Sequence, residues 1–208
     1  MATNPADPPA FAPAAFEFYA ELERNNTREW FAEHRGTYEQ AVRSPLEHLA
    51  ALAEERYGPA KVFRPHRDVR FSRDKSPYKT NGAMTAGATG GVYVSISAEG
   101  LHAGGGLYEP TREQLLRARE VIAADGPAAA ELADIVAELE RSGLELAGPA
   151  LKTAPRGTDR DHPRIALLRL THYAALTRLP PVATIGDLER VWRSLEPLLA
   201  WVRRETAD

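Results

Sequence analysis

Residues 92–108 (VYVSISAEGLHAGGGLY) constrain the fold more than any other stretch of the chain. Val92, Val94 and Ile96 alternate with Tyr93, Ser95 and Ser97, the period of a strand with one buried face. Ala98-Glu99-Gly100 supplies a tight turn, and residues 101–108 return as the antiparallel partner. Helical spacing lies on both sides. Pro13 opens a stripe of Phe16, Tyr19 and Leu22. Thr27 is a plausible N-cap for Trp30, Phe31, His34, Tyr38 and Val42. Ser44-Pro45 kinks or restarts the helix before Leu46, Leu49 and Leu52, and Gly58-Pro59 stops it. Beyond the hairpin, Thr111 and Gln114 form a capping box, Asp125-Gly126-Pro127 breaks that helix, and the next ends near Ser142-Gly143. Thr184 caps a last helix with Leu188, Val191, Leu195, Leu198 and Val202 on its buried face. Helices, then strands, then helices predict an α+β fold, a small antiparallel sheet packed by N-terminal and C-terminal helices. Residues 1–12 read as a flexible tail and 13–208 as a single domain. Residues 67–72 alternate like a further strand, 82–91 read as a flexible loop, and 164–178 fit a short helix or a strand.

The 208 residues contain no cysteine, which excludes disulfides, Cys-ligated metal centres and thiol nucleophiles. A basic segment followed by an apolar run is absent from the N-terminus, and no apolar run approaches the ~18 residues of a membrane span. A cytoplasmic protein without membrane contact is expected. The net charge of -3 argues against a dedicated nucleic-acid binder. That total is unevenly spread. Residues 61–80 hold Lys61, Arg64, Arg67, Arg70, Arg73, Lys75 and Lys79 against Asp68 and Asp74, so this block carries +5 and the remainder of the chain -8.

Strand parity over 67–72 sends Val69 and Phe71 to the core and Asp68, Arg70 and Ser72 to the other face. Paired in register, Arg70 would join Tyr93, Ser95 and His102 on one polar face, with Gly104 and Gly106 leaving space. Such a face is either a shallow cleft or the solvated side of an ordinary antiparallel sheet. The following loop, 76–81, offers ammonium, hydroxyl and backbone N–H donors to an anion; alternatively it is a solvated loop in which Asp74 pairs with its neighbours.

Sharper motifs weaken on inspection. Ser72-Arg73-Asp74-Lys75 fits S-x-x-K, but no S-D-N or K-T-G accompanies it and Ser72 ends a strand rather than starting a helix. The six histidines, His34, His48, His66, His102, His162 and His172, form no H-x-H or H-E-x-x-H, so no metal site is assigned. Gly104-Gly105-Gly106 lacks the Lys-Ser/Thr of a phosphate loop and reads as a strand that another backbone approaches closely. Trp30 and Phe31 read as core, with Asn25-Asn26 a turn.

Four groups of residues together resemble the family called domain of unknown function 2461, from about Phe16 to Trp201. They are Asn25-Asn26-Thr27-Arg28-Glu29-Trp30-Phe31; the block from Arg67 to Asn81 (RDVRFSRDKSPYKTN); Gly104-Gly105-Gly106-Leu107-Tyr108; and Leu151-Lys152 with Pro155-Arg156-Gly157 and Asp161-His162-Pro163. The resemblance implies a single-domain protein of a mostly bacterial and fungal family, and brings no reaction with it. The chain departs from the family pattern at Thr158, where an aromatic residue is usual, and near Thr171, where lysine is; neither position is given a role. One family pattern holding three basic segments implies that they converge. Arg67, Arg70, Lys75, Lys79, Lys152 and Arg156 would then surround an anion, with Asp161 and His162 at its rim.

Three functions compete. The first is an enzyme or binder acting on a small phosphorylated or carboxylated metabolite, with His162, His66 and Asp68 as candidates to move a proton. No cofactor is implied. The second is a nucleic-acid or acidic-protein module using residues 61–80, disfavoured by the acidic remainder and by few aromatics beside the basic residues. The third treats the block as an internal salt-bridge network.

Overall fold

The computed structural model describes residues 7–68, 70 and 74–207. In chain order the elements are α1 (Pro13–Arg24), α2 (Arg28–Glu33), α3 (Arg35–Thr37), a π-helical stretch (Tyr38–Arg43), α4 (Ser44–Tyr57), β1 (Ala60–Val62), β2 (Asn81–Ala86), β3 (Gly91–Ser97), β4 (Gly100–Leu107), α5 (Arg112–Ala123), α6 (Pro127–Arg141), β5 (Glu145–Leu146), α7 (Ile165–Leu168), β6 (Tyr173–Leu179), α8 (Ile185–Ser194) and α9 (Glu196–Thr206). The strands form an antiparallel sheet in the order β1-β2-β3-β4-β6-β5, and the class is α+β. The chain divides into two compact units, one of Met1–Gly87, Tyr93–Ala103 and Arg178–Arg190, the other of Ala88–Val92, Gly104–Thr177 and Val191–Asp208.

The first unit is built on aromatic packing. Phe18 of α1 lies within 6 Å of the rings of Tyr19, Trp30, Phe31 and Tyr38. Such rings bury large area and favour edge and tilted contacts. Thr27 caps α2 by accepting the Trp30 N–H at 3.2 Å. Phe31 is core as expected, but Trp30 is only half-buried and stacks on His34, with ring centroids 4.0 Å apart. At Ser44-Pro45 the π-helical stretch gives way to α4, with proline in the first turn, where its missing N–H costs nothing. Of the expected tail, residues 1–6 lie outside the described residues, while Ala10 donates to Ala183 O at 2.8 Å and Phe11 is 1 % exposed. Thr184 and Asp187 cap α8 reciprocally, the Thr184 N–H and hydroxyl donating to one Asp187 oxygen and Thr184 Oγ1 accepting the Asp187 N–H.

Residues 82–86, expected within the flexible loop of 82–91, form most of β2. Ala83, Met84 and Ala86 are buried. Its small residues are a packing requirement: a Cβ on Gly82 would lie 2.5 Å from the Tyr19 hydroxyl and 3.0 Å from Val42 and Leu46. The strand expected over 67–72 is not found in its described part, since Arg67, Asp68 and Arg70 are irregular; Val69, Phe71 and Ser72 lie outside the described residues. Asp68 turns the chain back on itself by accepting the Arg70 N–H at 3.2 Å, an Asx turn that competes with strand extension.

The second unit packs α5, α6, α7 and α9 around Ile122, Leu132, Leu139, Leu168, Tyr173, Leu198 and Trp201. The capping box of α5 forms as read, Thr111 Oγ1 accepting the Gln114 N–H and Gln114 Oε1 the Thr111 N–H. Trp201 Nε1 donates to Ala128 O at 2.8 Å, satisfying a buried indole. Residues 164–178 hold both alternatives, helix α7 and then most of β6. The single last helix is two, α8 and α9, divided at Leu195 with Pro197 in the first turn of α9.

The triple glycine is a point of closest backbone approach. A Cβ on Gly104 would meet Ala175 O at 2.3 Å, one on Gly105 would meet Gly91 O at 2.4 Å, and one on Gly106 would meet Tyr173 O at 2.3 Å. Gly106 also has φ +126°, a conformation that L side chains rarely adopt. Gly106→Ala should therefore cost about 2–4 kcal/mol in urea denaturation. Gly36→Ala, at a helical glycine with nothing within 4 Å of the added carbon, should be neutral or stabilising by about 0.5–1 kcal/mol.

Candidate functional site

The basic block is a loop closed at its neck and clamped from outside. In the first unit, Arg67 N donates to Pro77 O at 2.9 Å and Lys79 N to Pro65 O at 2.8 Å, around a bridge between His66 and Tyr78. Asn26, beside the N-cap of α2, holds the same neck at two points. Its amide nitrogen donates to Tyr78 O at 3.0 Å and its amide oxygen accepts the Tyr78 N–H at 3.1 Å. One side chain thus mimics a neighbouring strand. The buried Tyr78 ring stacks on Phe31 with centroids 3.9 Å apart, and His66 lies tilted at 5.1 Å. Asn26 is accordingly the anchor of the loop as well as part of the turn between helices.

Inside the loop, two of the expected anion ligands already hold carboxylates. Arg70 grips Asp68 with two guanidinium nitrogens, Nε to Oδ1 at 3.0 Å and Nη2 to Oδ2 at 2.7 Å. Arg67 donates to Asp74 Oδ2, while Asp74 Oδ1 accepts the Ser76 N–H at 2.9 Å and the Ser76 hydroxyl at 2.6 Å. The Arg70 hydrogen bonds hold the Asp68 carboxyl below its usual range. The Ser76 hydroxyl and N–H, with Arg67 adding to them, pull Asp74 down to about 2. Both pairs are exposed.

A second group of cations lacks such partners. Lys61, paired opposite Thr85 across β1 and β2, and Lys79 each place Nζ 5.4 Å from the centroid of the Phe63 ring. The two ammonium groups are thus within twice that distance of each other, and neither has a carboxylate partner among the described residues. Lys79 was expected here; Lys61 and Phe63 were not, because cation–π packing leaves no spacing signature. Lys75 is exposed on the same loop. Arg70 is not beside Tyr93, Ser95 and His102 on a strand, since its segment is irregular. Tyr93, Ser95 and Ser97 form the half-buried face of β3 that alternation predicted, and His102 is the half-buried residue of β4.

The remaining expected ligands belong to the second unit. Lys152 and Arg156 are exposed and have no ion-pair partner among its described residues. Asp161 is exposed, its N–H donating to Asp159 Oδ1 at 3.0 Å. His162 uses both ring nitrogens: Nδ1 accepts the Arg164 N–H at 3.0 Å, which assigns the proton to Nε2, and Nε2 donates to Ala123 O at 3.1 Å. Arg164 adds an ion pair to Asp125 at 2.9 Å, and Arg119 caps the carbonyls of Leu168 and Leu170. The Asp161-His162-Pro163 turn thus fastens the segment before α7 to the end of α5. Thr158 N donates to Pro155 O within a turn, and the Thr171 hydroxyl donates to Pro149 O.

Of the three candidates for proton transfer, His162 is engaged in the backbone and Asp68 in a bidentate ion pair. His66 has neither ring nitrogen hydrogen-bonded among the described residues. No three of His, Asp and Glu gather as a metal would require among the described residues. No helix is long and apolar enough to cross a membrane.

Two measurements check this geometry. Asp74 should titrate near pH 2 by carboxyl-carbon NMR, against an ordinary value of 3.8. A carboxylate depressed on folding favours the folded loop above pH 3.8 and loses that contribution as the pH falls through about 2. Ser76→Ala should move the midpoint back towards 3.8. Asn26→Ala should cost about 1–2 kcal/mol in urea denaturation. Asn26→Asp, unable to donate to Tyr78 O while ionised, should cost more at pH ~7 and recover relative to the wild type below pH ~4, where the acid regains a proton to donate.

No curated protein matches the chain. Residues 14–201 match the family described as Conserved hypothetical protein (DUF2461), and with that span covering most of its length the chain belongs to that family.

Proposed function

We propose that the loop of residues 61–80 binds a small anionic metabolite, phosphorylated or carboxylated, in a cytoplasmic protein. The observation that carries this reading is the pair of ammonium groups, Lys61 and Lys79, each set over one phenyl ring and neither with a carboxylate partner among the described residues. Like charges gathered around one ring repel, and an anion bridging them relieves the repulsion. The adjacent Arg67 and Arg70 supply planar forks that match a phosphate or carboxylate. Asp74 and Asp68 occupy those forks now. Both carboxylates are exposed, at 54 % and 48 %, so a doubly charged ligand can compete for them. Binding is proposed, and no reaction step is assigned. Cysteine-free composition accords with the cytoplasmic location.

A second reading is favoured by the same two ion pairs: the block as a salt-bridge network that shapes its own loop. Exposed pairs contribute little to stability, so this reading explains Asp68 and Asp74 and leaves Lys61 and Lys79 without a purpose.

The readings separate in a thermal-shift panel of inorganic phosphate, a nucleoside monophosphate, citrate and a short single-stranded oligonucleotide. A small anion at about 100 times its dissociation constant should stabilise the protein by ~2.7 kcal/mol. The double variant Lys61→Gln/Lys79→Gln should lose at least about tenfold in affinity while remaining folded. No shift with any small anion, or a shift that the double variant leaves intact, would overturn the proposal. Preferential, steeply salt-dependent oligonucleotide binding would replace it with a nucleic-acid module.

A further inference from the structure

The second unit contains an arginine whose position calls for a ligand. Arg169 is half-buried at the C-cap of α7, and its Nε–H is buried with no hydrogen-bond partner among the described residues. No carboxylate among them pairs with its guanidinium. Its neighbours show how unusual this is. Arg164 has Asp125 at 2.9 Å, and Arg119 spends its donors on the carbonyls of Leu168 and Leu170, the residues on either side of Arg169. A buried donor left unmade costs the desolvation of that group, and a charged donor costs more than a neutral one.

The backbone around Arg169 is fixed. Its N–H donates to Ile165 O at 3.1 Å, its carbonyl accepts the Leu151 N–H at 2.8 Å, and Ala150 bridges antiparallel to Leu170. That pairing fixes residues 150–151 alongside residues 169–170. Arg119 approaches from α5, its hydrogen bonds all to neutral acceptors. The positive field of Arg119 is felt by the buried Tyr173 hydroxyl, which burial pushes up to about 12 while the guanidinium pulls the other way.

We infer that Arg169 forms a second anion site that takes a small oxoanion, a free phosphate or the carboxylate or phosphate of a metabolite. A carboxylate or phosphate presents two coplanar acceptors, the geometry that Nε and Nη of one guanidinium are built to meet, and it supplies the charge the site lacks. The site uses residues of the second unit only, and stands whether or not the 61–80 loop binds anything.

The test is a titration of the full chain with inorganic phosphate and separately with acetate, followed by the backbone amides of Leu151, Lys152, Arg169 and Leu170. Either anion should perturb these amides saturably. Arg169→Leu should weaken binding at least about tenfold, and Arg169→Lys, which keeps the charge but loses the fork, several-fold. Lys61→Gln/Lys79→Gln should leave these amides responding as in the wild type, which separates failure here from failure of the loop reading. In anion-free buffer Arg169→Leu should melt no lower than the wild type, because no native partner is lost. Unperturbed amides with both anions, an unchanged response in Arg169→Leu and Arg169→Lys, or a marked fall in melting temperature of both variants without anion would each overturn the inference. The last would mean that the guanidinium already has a partner inside the protein.

Discussion

Close backbone approach is the constraint on which the second unit depends. At Gly104, Gly105 and Gly106 the neighbouring chain lies where a side chain would start, with carbonyl oxygens 2.3–2.4 Å from each absent Cβ. The approach lets β6 lie beside β4 while Tyr173, Leu168 and Trp201 fill the core beneath. Gly82 applies the same logic in the first unit, leaving room for the Tyr19 hydroxyl. In both places packing is set by what the residue lacks. Any side chain there would separate the layers and open voids in cores that pack to near-crystalline density.

Local rules carried far in this chain because local patterns are strongest where one face is buried. The alternation of Val92, Val94 and Ile96, the caps at Thr27, Thr111 and Thr184 and the breaks at Gly58 and Gly126 all correspond to elements found. The errors share a cause. Residues 82–86 resemble a loop in composition because small side chains serve close packing and flexible turns equally. Alternation over 67–72 has a strand's period, but Asp68 satisfies the local backbone with its own side chain instead of a neighbouring strand. The charge of the central block was visible in the sequence, whereas its internal pairing was not, because Arg67 reaches Asp74 only through the fold of the loop and Arg70 reaches Asp68 only through a local turn that strand alternation hides.

The least legible contact was that of Asn26, 52 residues from Tyr78. Nothing in the spacing of the two announces it, and asparagine in a turn needs no further explanation. His162 is the converse case. A histidine in a charged motif invites a chemical role, yet its two nitrogens are committed to Arg164 N–H and Ala123 O. Arg119 and Arg164, unmarked by any motif, perform the same kind of fastening. In this family member the motif residues divide into those that tie segments together, such as Asn26 and His162, and those left exposed, such as Lys152 and Arg156.

The distribution of lysine gives the loop a further property. Arginine supplies most of the chain's positive charge; its lysines are Lys61, Lys75, Lys79 and Lys152, and three of these four lie in the central block. Arginine is inert to acyl donors, so three of the four side-chain amine nucleophiles lie between residues 61 and 79. Acylation of this protein consequently falls on the central block and on Lys152. It strips charge from the Phe63 cluster and leaves the arginine-based ties elsewhere untouched.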